Sequence, residues 1–442
     1  MNALRLARLF RPIGWVCQLQ GLAIQADGPS SRIGEFCEIR LTHSGQTGAE
    51  QRTAASVLAE VVAVRGERIT LMPYGSLQGI AAGDQVLVSE EAGSIPVGSA
   101  LLGRVVDCFG RPLDALGEIL STDTRGLHGD ARNPLHRPKI KEVLETGVRV
   151  IDSLLTLGKG QRIGIFSGSG VGKSVLLGMI ARHVQADVNV IALIGERGRE
   201  VREFIDQQLG PDGLARSVVV VASSDQPALS RIRAAQAAVA IAEHFREQGK
   251  DVLLTMDSIT RLAMARREVG LSAGEPPTAR GYTPSVFAEL PGLCERCGTS
   301  DSGGSITALF TVLVEGDDLN EPVADALRSI LDGHVVLSRE LAHQGHYPAV
   351  DVLKSTSRLM RDVASEDERA LQARAVRLLA LLERNRAMVE IGAYQKGTNT
   401  ALDLALEREA GLRAWLCQSA GGAVRCESLE QLHALLAGWE LA

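Results

Sequence analysis

The run Ser167-Gly168-Ser169-Gly170-Val171-Gly172-Lys173-Ser174 constrains this chain more than any other stretch. It follows an apolar, strand-like segment, Arg162-Ile163-Gly164-Ile165-Phe166, and leads into the helix-like Val175-Leu176-Leu177-Gly178-Met179-Ile180-Ala181. In that context it reads as a phosphate-binding loop. Glycines let the backbone curl so that successive N–H groups face phosphate oxygens, and the helix N-terminus adds its partial positive charge. The candidate nucleotide-binding residues are therefore Gly168, Ser169, Gly170, Val171, Gly172, Lys173, Ser174 and Val175. Lys173 is expected to reach the β- and γ-phosphates and the Ser174 hydroxyl to ligate Mg²⁺, making ATP and Mg²⁺ the expected substrate and cofactor. One position departs from the G-x-x-x-x-G-K-[ST] pattern, since Ser167 stands where the first glycine belongs. The competing reading, a Gly/Ser-rich surface turn before a lysine, is disfavoured by the flanking strand and helix.

A chain of 442 residues exceeds one ordinary core, so two or three domains are expected. Hydrophobic content of 45% and charged content of 23% are those of a globular protein. No bilayer-length apolar stretch and no signal-peptide pattern is present, which predicts a cytoplasmic protein. A net charge of -6 and 3% aromatic residues argue against a nucleic-acid partner, which would want positive potential and stacking platforms. The seven cysteines read as free thiols. Cys294 and Cys297 form a single C-x-x-C without a second ligand pair; His334 and His343 are isolated, so free thiols are favoured over zinc or redox chemistry.

Three regions differ in pattern. Residues 1–90 hold a short leader and then alternating runs such as Glu60–Arg65, Arg68–Pro73 and Gln85–Ser89, separated by Gly66-Glu67 and Gly83-Asp84, which predicts a small closed β-barrel. Residues 91–360 carry near-continuous apolar runs (188–194, 217–222, 251–256, 306–314) between helical patterns, notably 228–248. Such strands predict a mostly parallel α/β sheet covered on both faces. Residues 361–442 are predicted helical, with Ser365-Glu366-Asp367-Glu368 as a capping box opening a run to about Met388. The leader itself, with Leu4, Leu6, Leu9 and Phe10 among Arg5, Arg8 and Arg11, suits a partner helix or peripheral contact with an anionic membrane surface; an unstructured tail is the competing reading.

Hydrolysis needs more than a phosphate loop: a carboxylate that positions metal and a group that orients water. Asp257 ends the apolar run from Asp251, which would place it beside the loop in the metal shell. Its alternative use is to cap the next helix, and both can hold together. Gly195-Glu196-Arg197-Gly198-Arg199-Glu200 follows the run ending at Ile194. Ligands gather at the C-terminal ends of strands in an open α/β sheet, so these charges are delivered to the phosphate site, with Glu196 placed to polarise water.

Taken with Asp257-Ser-Ile-Thr-Arg261, Gly303-Gly-Ser-Ile-Thr-Ala-Leu, Glu315-Gly-Asp-Asp-Leu and Ser355-Thr-Ser-Arg358, the chain resembles the catalytic subunits of rotary ATP synthases. It is most similar to the ATPases of flagellar and virulence type III protein export, through Gly158-Lys-Gly-Gln-Arg-Ile-Gly-Ile-Phe, Ala265-Arg-Arg-Glu-Val-Gly-Leu, Gly274-Glu-Pro-Pro, Pro284-Ser-Val-Phe-Ala, Ile330-Leu-Asp-Gly-His and Gly345-His-Tyr-Pro-Ala. The likeness runs from about Gly14 to the C-terminal helices. It implies an N-terminal β-barrel, a central RecA-like P-loop ATPase domain and a C-terminal helical domain, assembled as a homohexamer.

By the same resemblance Lys173, Glu196, Arg197, Arg261 and Arg358 are the catalytic candidates. Arg197 and Arg261 match positions that contact or steady the γ-phosphate, and Arg358 matches the arginine finger that completes a neighbour's site. Tyr394, in Gly392-Ala-Tyr-Gln-Lys-Gly, is a candidate for packing on adenine. The implied partners are a stator-like regulator, a central-stalk protein, an export gate, and export substrates with their chaperones, at the cytoplasmic face of the inner membrane. Residues around 270–282 are expected to line a central channel. The flagellar reading leads, with the injectisome ATPase as its alternative. A rotary proton-pump subunit, a nucleic-acid translocase and a non-hydrolysing ring subunit are the remaining competitors. Cys294-Glu-Arg-Cys-Gly and Thr299-Ser-Asp-Ser-Gly depart from the family pattern away from the expected chemistry.

Overall fold

Alternation in the first hundred residues produces a barrel, and the computed structural model shows how it closes. The structure describes residues 12–41, 56–89, 93–129, 133, 135, 137–419 and 421–439; the amphipathic leader lies outside them. Six antiparallel strands close the barrel in the order Ile13–Gln20, Ala23–Asp27, Arg68–Pro73, Ser56–Arg65, Phe36–Arg40 and Gln85–Val88. Every second residue points inward, so Val16, Ile24, Ile39, Val61, Leu71 and Val86 fill the interior.

The central sheet runs in the order Val350–Ser357, Gly333–Leu337, Arg162–Ser167, Ser305–Leu313, Asp251–Asp257, Val188–Ile194, Ser217–Ala222 and Arg104–Val106. Its internal pairs are parallel, and Val350–Ser357 joins antiparallel at one edge. Continuous apolar strands follow from burial on both faces. In Val188–Ile194, Val190, Ala192 and Ile194 enter one core while Ile191 and Leu193 enter the other. The first core receives the helix Ala228–Glu247, whose buried Ala234, Ala235, Ala237, Ala238, Ala240 and Ala242 permit close approach to the sheet. The second receives the phosphate-loop helix Lys173–His183.

That second core continues into the C-terminal helices Glu366–Glu390, Thr400–Leu416 and Arg425–Leu435. Leu371, Ala375, Leu378, Leu412, Trp415 and Leu432 all belong to it. The capping box is formed: the Ser365 hydroxyl accepts from the Glu368 N–H, and the Glu368 carboxylate accepts from the Ser365 N–H at 2.8 Å. No described helix is long and apolar enough to cross a membrane.

Candidate functional site

Three strands deliver their last residues to one place. Arg162–Ser167 ends in the glycine-rich turn, Asp251–Asp257 ends in its acid, and Val188–Ile194 is followed by Gly195-Glu196. Gly170 and Gly172 adopt φ of 79° and 87°, the left-handed region that lets the turn fold back before the helix begins at Lys173. A Cβ on Gly168 would lie 2.5 Å from the Arg339 guanidinium and 2.8 Å from the Asp317 carboxylate, so these two exposed side-chain ends would have to shift to admit one. Ser167, the departure from the motif, is buried as the last residue of its strand, and its carbonyl accepts from the Val314 N–H at 3.0 Å. Ser167 also lines the cavity described below, and its buried hydroxyl oxygen has no hydrogen-bond partner.

Lys173 is the hub of the polar cluster. Its ammonium bonds to Asp257 Oδ1 and lies 3.5 Å from Glu196 Oε1. Asp257 Oδ1 also accepts from the Thr311 hydroxyl at 2.7 Å. The three side chains are 12%, 4% and 12% exposed for Lys173, Asp257 and Glu196. Burial pushes the Glu196 carboxyl above the usual carboxylate range, with the Lys173 charge opposing it. Without phosphate present, the lysine charge is balanced by the two carboxylates.

Around them opens a cavity of about 670 Å³, lined by the loop, Ser174, Val175, Glu196, Arg197 and Arg261 among others. The Arg261 Nε is buried without a hydrogen-bond partner, whereas the Arg197 side chain is 80% exposed and 3.7 Å from Glu200. Cavity size suits a nucleotide. The Ser174 hydroxyl and the Asp257 carboxylate supply hard oxygen donors, the donor type that Mg²⁺ prefers. Ser258 is also the N-cap of the helix Ile259–Ala273, so Asp257 does not serve as its cap.

Two candidates lie elsewhere. Arg358 follows the edge strand Val350–Ser357, exposed and outside the residues lining the cavity; its N–H donates to the Asp332 carbonyl and its guanidinium to the Arg328 carbonyl, each at 3.0 Å. Tyr394 sits between two C-terminal helices, its hydroxyl bonded to Asp403 at 2.8 Å and to the Asn399 carbonyl at 3.0 Å, and it too is absent from the cavity lining. The aromatic beside the loop is Tyr347: its ring lies 3.2 Å from where a Cβ on Gly172 would stand, and it is 45% exposed. Like Tyr394 it is absent from the cavity lining, but an aromatic left half in solvent beside the loop offers the apolar contact a base wants. The signal was in the sequence, inside Gly345-His-Tyr-Pro-Ala, but the spacing there carries no sign of a neighbouring loop 170 residues earlier.

The segment around 270–282 divides. Gly270 is buried within its helix, and Tyr282 is buried and lines the nucleotide cavity, which leaves 274–280 as the outward part. Cys294 and Cys297 are both buried free thiols. Burial pushes the Cys297 thiol up to about 12 and Cys294 well above its ordinary value, so neither is a ready nucleophile. Among the described residues no cluster suited to a metal ion is formed by His, Cys, Asp and Glu alone.

With this geometry in view, comparison with known proteins is specific. Residues 16–88 match the ATP synthase alpha/beta family β-barrel domain, 147–357 the nucleotide-binding domain of that family, and 364–434 the T3SS EscN ATPase C-terminal domain. The flagellum-specific ATP synthase of Bacillus subtilis is 50% identical over 92% of this chain and 91% of its own length. The type 3 secretion system ATPase of Xanthomonas euvesicatoria is 47% identical over 92% of this chain and 90% of its own. Among solved structures, the assembled ATPase EscN from the type III secretion system of enteropathogenic E. coli superposes with a TM-score of 0.89 at 42% identity, covering 96% of this chain and all of that one.

Proposed function

Because the chain belongs to the family of flagellum-specific ATP synthases and type 3 secretion system ATPases, and is an ATP-hydrolysing enzyme, we propose that it is the ATPase of a flagellar protein-export apparatus. The observation that carries the mechanism is the buried Lys173–Asp257–Glu196 cluster, of which Lys173 and Glu196 line the cavity. ATP enters with its phosphates on the loop N–H groups, and Lys173 leaves Asp257 for the β- and γ-phosphates. Ser174 and Asp257 would hold Mg²⁺, which when bound would offset charge on the phosphates. Glu196 accepts a hydrogen bond from the attacking water and aligns it with the γ-phosphorus. Arg261 and Arg197 steady the γ-phosphate from the cavity wall, and Tyr347 packs on the base.

Arg358 acts on the neighbouring subunit of a homohexamer, neutralising charge on the transferring phosphoryl group. Its exposed place outside its own cavity supports that assignment. In this reading residues 1–90 form the barrel crown, 91–360 the ATPase domain and 361–442 the helical end that faces exported proteins and chaperones. A solved complex of the related EscN with its central stalk EscO supports a stalk partner here, with the outward 274–280 segment facing it. A stator-like regulator and the export gate would hold the ring at the cytoplasmic face of the inner membrane.

Relatives named type 3 secretion system ATPases lie within a few per cent identity of those named flagellum-specific ATP synthases, which makes the injectisome the second reading. Co-purification of the tagged protein from its native cells, with the bound proteins identified by mass spectrometry, decides between them. Flagellar export components are expected. Injectisome components would move the assignment to effector secretion, and a proton-pump membrane sector would overturn export altogether.

A further inference from the structure

Asp257 Oδ1 carries two hydrogen bonds, one from Lys173 and one from the Thr311 hydroxyl at 2.7 Å. Thr311 is fully buried on Ser305–Leu313, the strand between the phosphate-loop strand and the strand that ends in Asp257. Its neighbour in register on the loop side is Ile165. A hydroxyl there has one proton to give, and the Met256 carbonyl at 3.4 Å is the poorer acceptor.

Lys173 has three N–H groups to divide among Asp257, Glu196 and the phosphates of a nucleotide, and in the mechanism above they turn to the phosphates. Once it leaves, Thr311 is the remaining donor of the two on a carboxylate that is 4% exposed. An aspartate so released is free to rotate, and a rotated carboxylate no longer presents its second oxygen to the metal shell. Hydrogen bonds to charged groups are the stronger kind, and a buried acceptor left unpaired is costly.

We propose that Thr311 is a positioning residue of the nucleotide site: its hydroxyl holds Asp257 Oδ1 once Lys173 has turned to the phosphates, fixing the carboxylate that would help hold Mg²⁺. The proposal rests on the assignment of Asp257 to the metal shell given above. It predicts an effect in the nucleotide-bound states that is larger with the metal, where Asp257 must also be oriented. In the nucleotide-free protein Lys173 still satisfies Oδ1, so removal of the hydroxyl is tolerated there.

The test is the affinity of the full-length protein for N-methylanthraniloyl-ATP, followed by fluorescence with excess Mg²⁺ and with EDTA, in wild type, Thr311→Val and Thr311→Ser. Valine keeps the shape and the strand preference of threonine. The expected result is that Thr311→Val loses about tenfold in affinity in Mg²⁺, the scale of one charged hydrogen bond, and clearly less for the metal-free nucleotide, where Asp257 has no metal to be oriented toward. Thr311→Ser should restore the Mg²⁺ gain. Equal losses with and without Mg²⁺, or an undiminished Mg²⁺ gain in Thr311→Val, would overturn the inference while leaving the metal assignment in place. A wild-type protein that gains nothing from Mg²⁺ would overturn the metal assignment and the inference with it. Should the valine variant fold poorly, Thr311→Ala and Thr311→Ser compared in the same assay carry the same contrast.

Discussion

The buried acid and lysine cluster and the exposed arginine at the sheet edge are built on opposite physical principles. Lys173, Asp257 and Glu196 are nearly enclosed and satisfy one another, so this half of the site is preorganised inside a single chain. Arg358 lies at the end of an antiparallel edge strand, exposed, with carbonyl partners and no carboxylate recorded for it. A buried unpaired arginine would be expensive, whereas an exposed one can wait for an anion supplied from outside. On the proposed reading, the difference assigns binding and water activation to the subunit and charge neutralisation to the assembly.

Arg358→Ala should give the largest separation of the two halves. Turnover of the assembled enzyme is expected to fall about 10³-fold, the lower range for an arginine finger, while nucleotide affinity of the isolated subunit stays within about twofold. Parallel loss of both would place Arg358 in its own subunit's pocket and erase the contrast. Glu196→Gln should lower kcat about 10²-fold or more with ATP binding retained, since only the water loses its acceptor. The same residue sets a pH signature. A glutamate raised by burial protonates at higher pH than an exposed one, and only its ionised form accepts from water. The wild-type rate should therefore fall on acidification before the pH reaches the range of an exposed glutamate, and the residual rate of Glu196→Gln should lack that limb.

Smaller effects sharpen the boundary of the buried half. Tyr347→Ala should raise KM about tenfold with kcat nearly unchanged, the scale of one base–aromatic stack, and Tyr394→Ala should change neither. A reversed pair of results would return the base to the C-terminal helices. Ser365→Ala removes the cap of the long C-terminal helix and should cost about 1 kcal/mol of stability in a denaturant titration without altering hydrolysis by the remaining folded enzyme. Lost activity at constant folded fraction would tie that helix end to the site.

Much of this was legible because local rules and long-range placement coincide. The phosphate loop is a contiguous motif, and the continuous apolar run before Asp257 both signals a doubly covered parallel strand and fixes the acid at its C-terminal end. Capping at Ser365 is likewise local chemistry. Tyr347 and Thr311 were not legible for the converse reason. Thr311 reaches Asp257 through sheet order, in which Ser305–Leu313 lies between Arg162–Ser167 and Asp251–Asp257, and Tyr347 comes beside Gly172 from the bend before the edge strand Val350–Ser357; no sequence spacing encodes either approach. Tyr394 misled because an aromatic in a Gly-rich loop looks available, while its hydroxyl is committed to Asp403 within its own helical region. The short strand Arg104–Val106 joins the far edge of the central sheet on three residues, too brief for alternation to reveal.

The division between subunit and assembly is tested most directly by mixing two inactive proteins, Lys173→Ala and Arg358→Ala, under conditions where rings assemble. At a hybrid interface the Arg358→Ala subunit contributes an intact Lys173 cluster and the Lys173→Ala subunit contributes an intact Arg358. The account predicts that ATP hydrolysis reappears in the mixture, rising with the fraction of hybrid interfaces. Mixed rings shown to be assembled yet as inactive as either parent would contradict it, and would place both residues in one subunit's site.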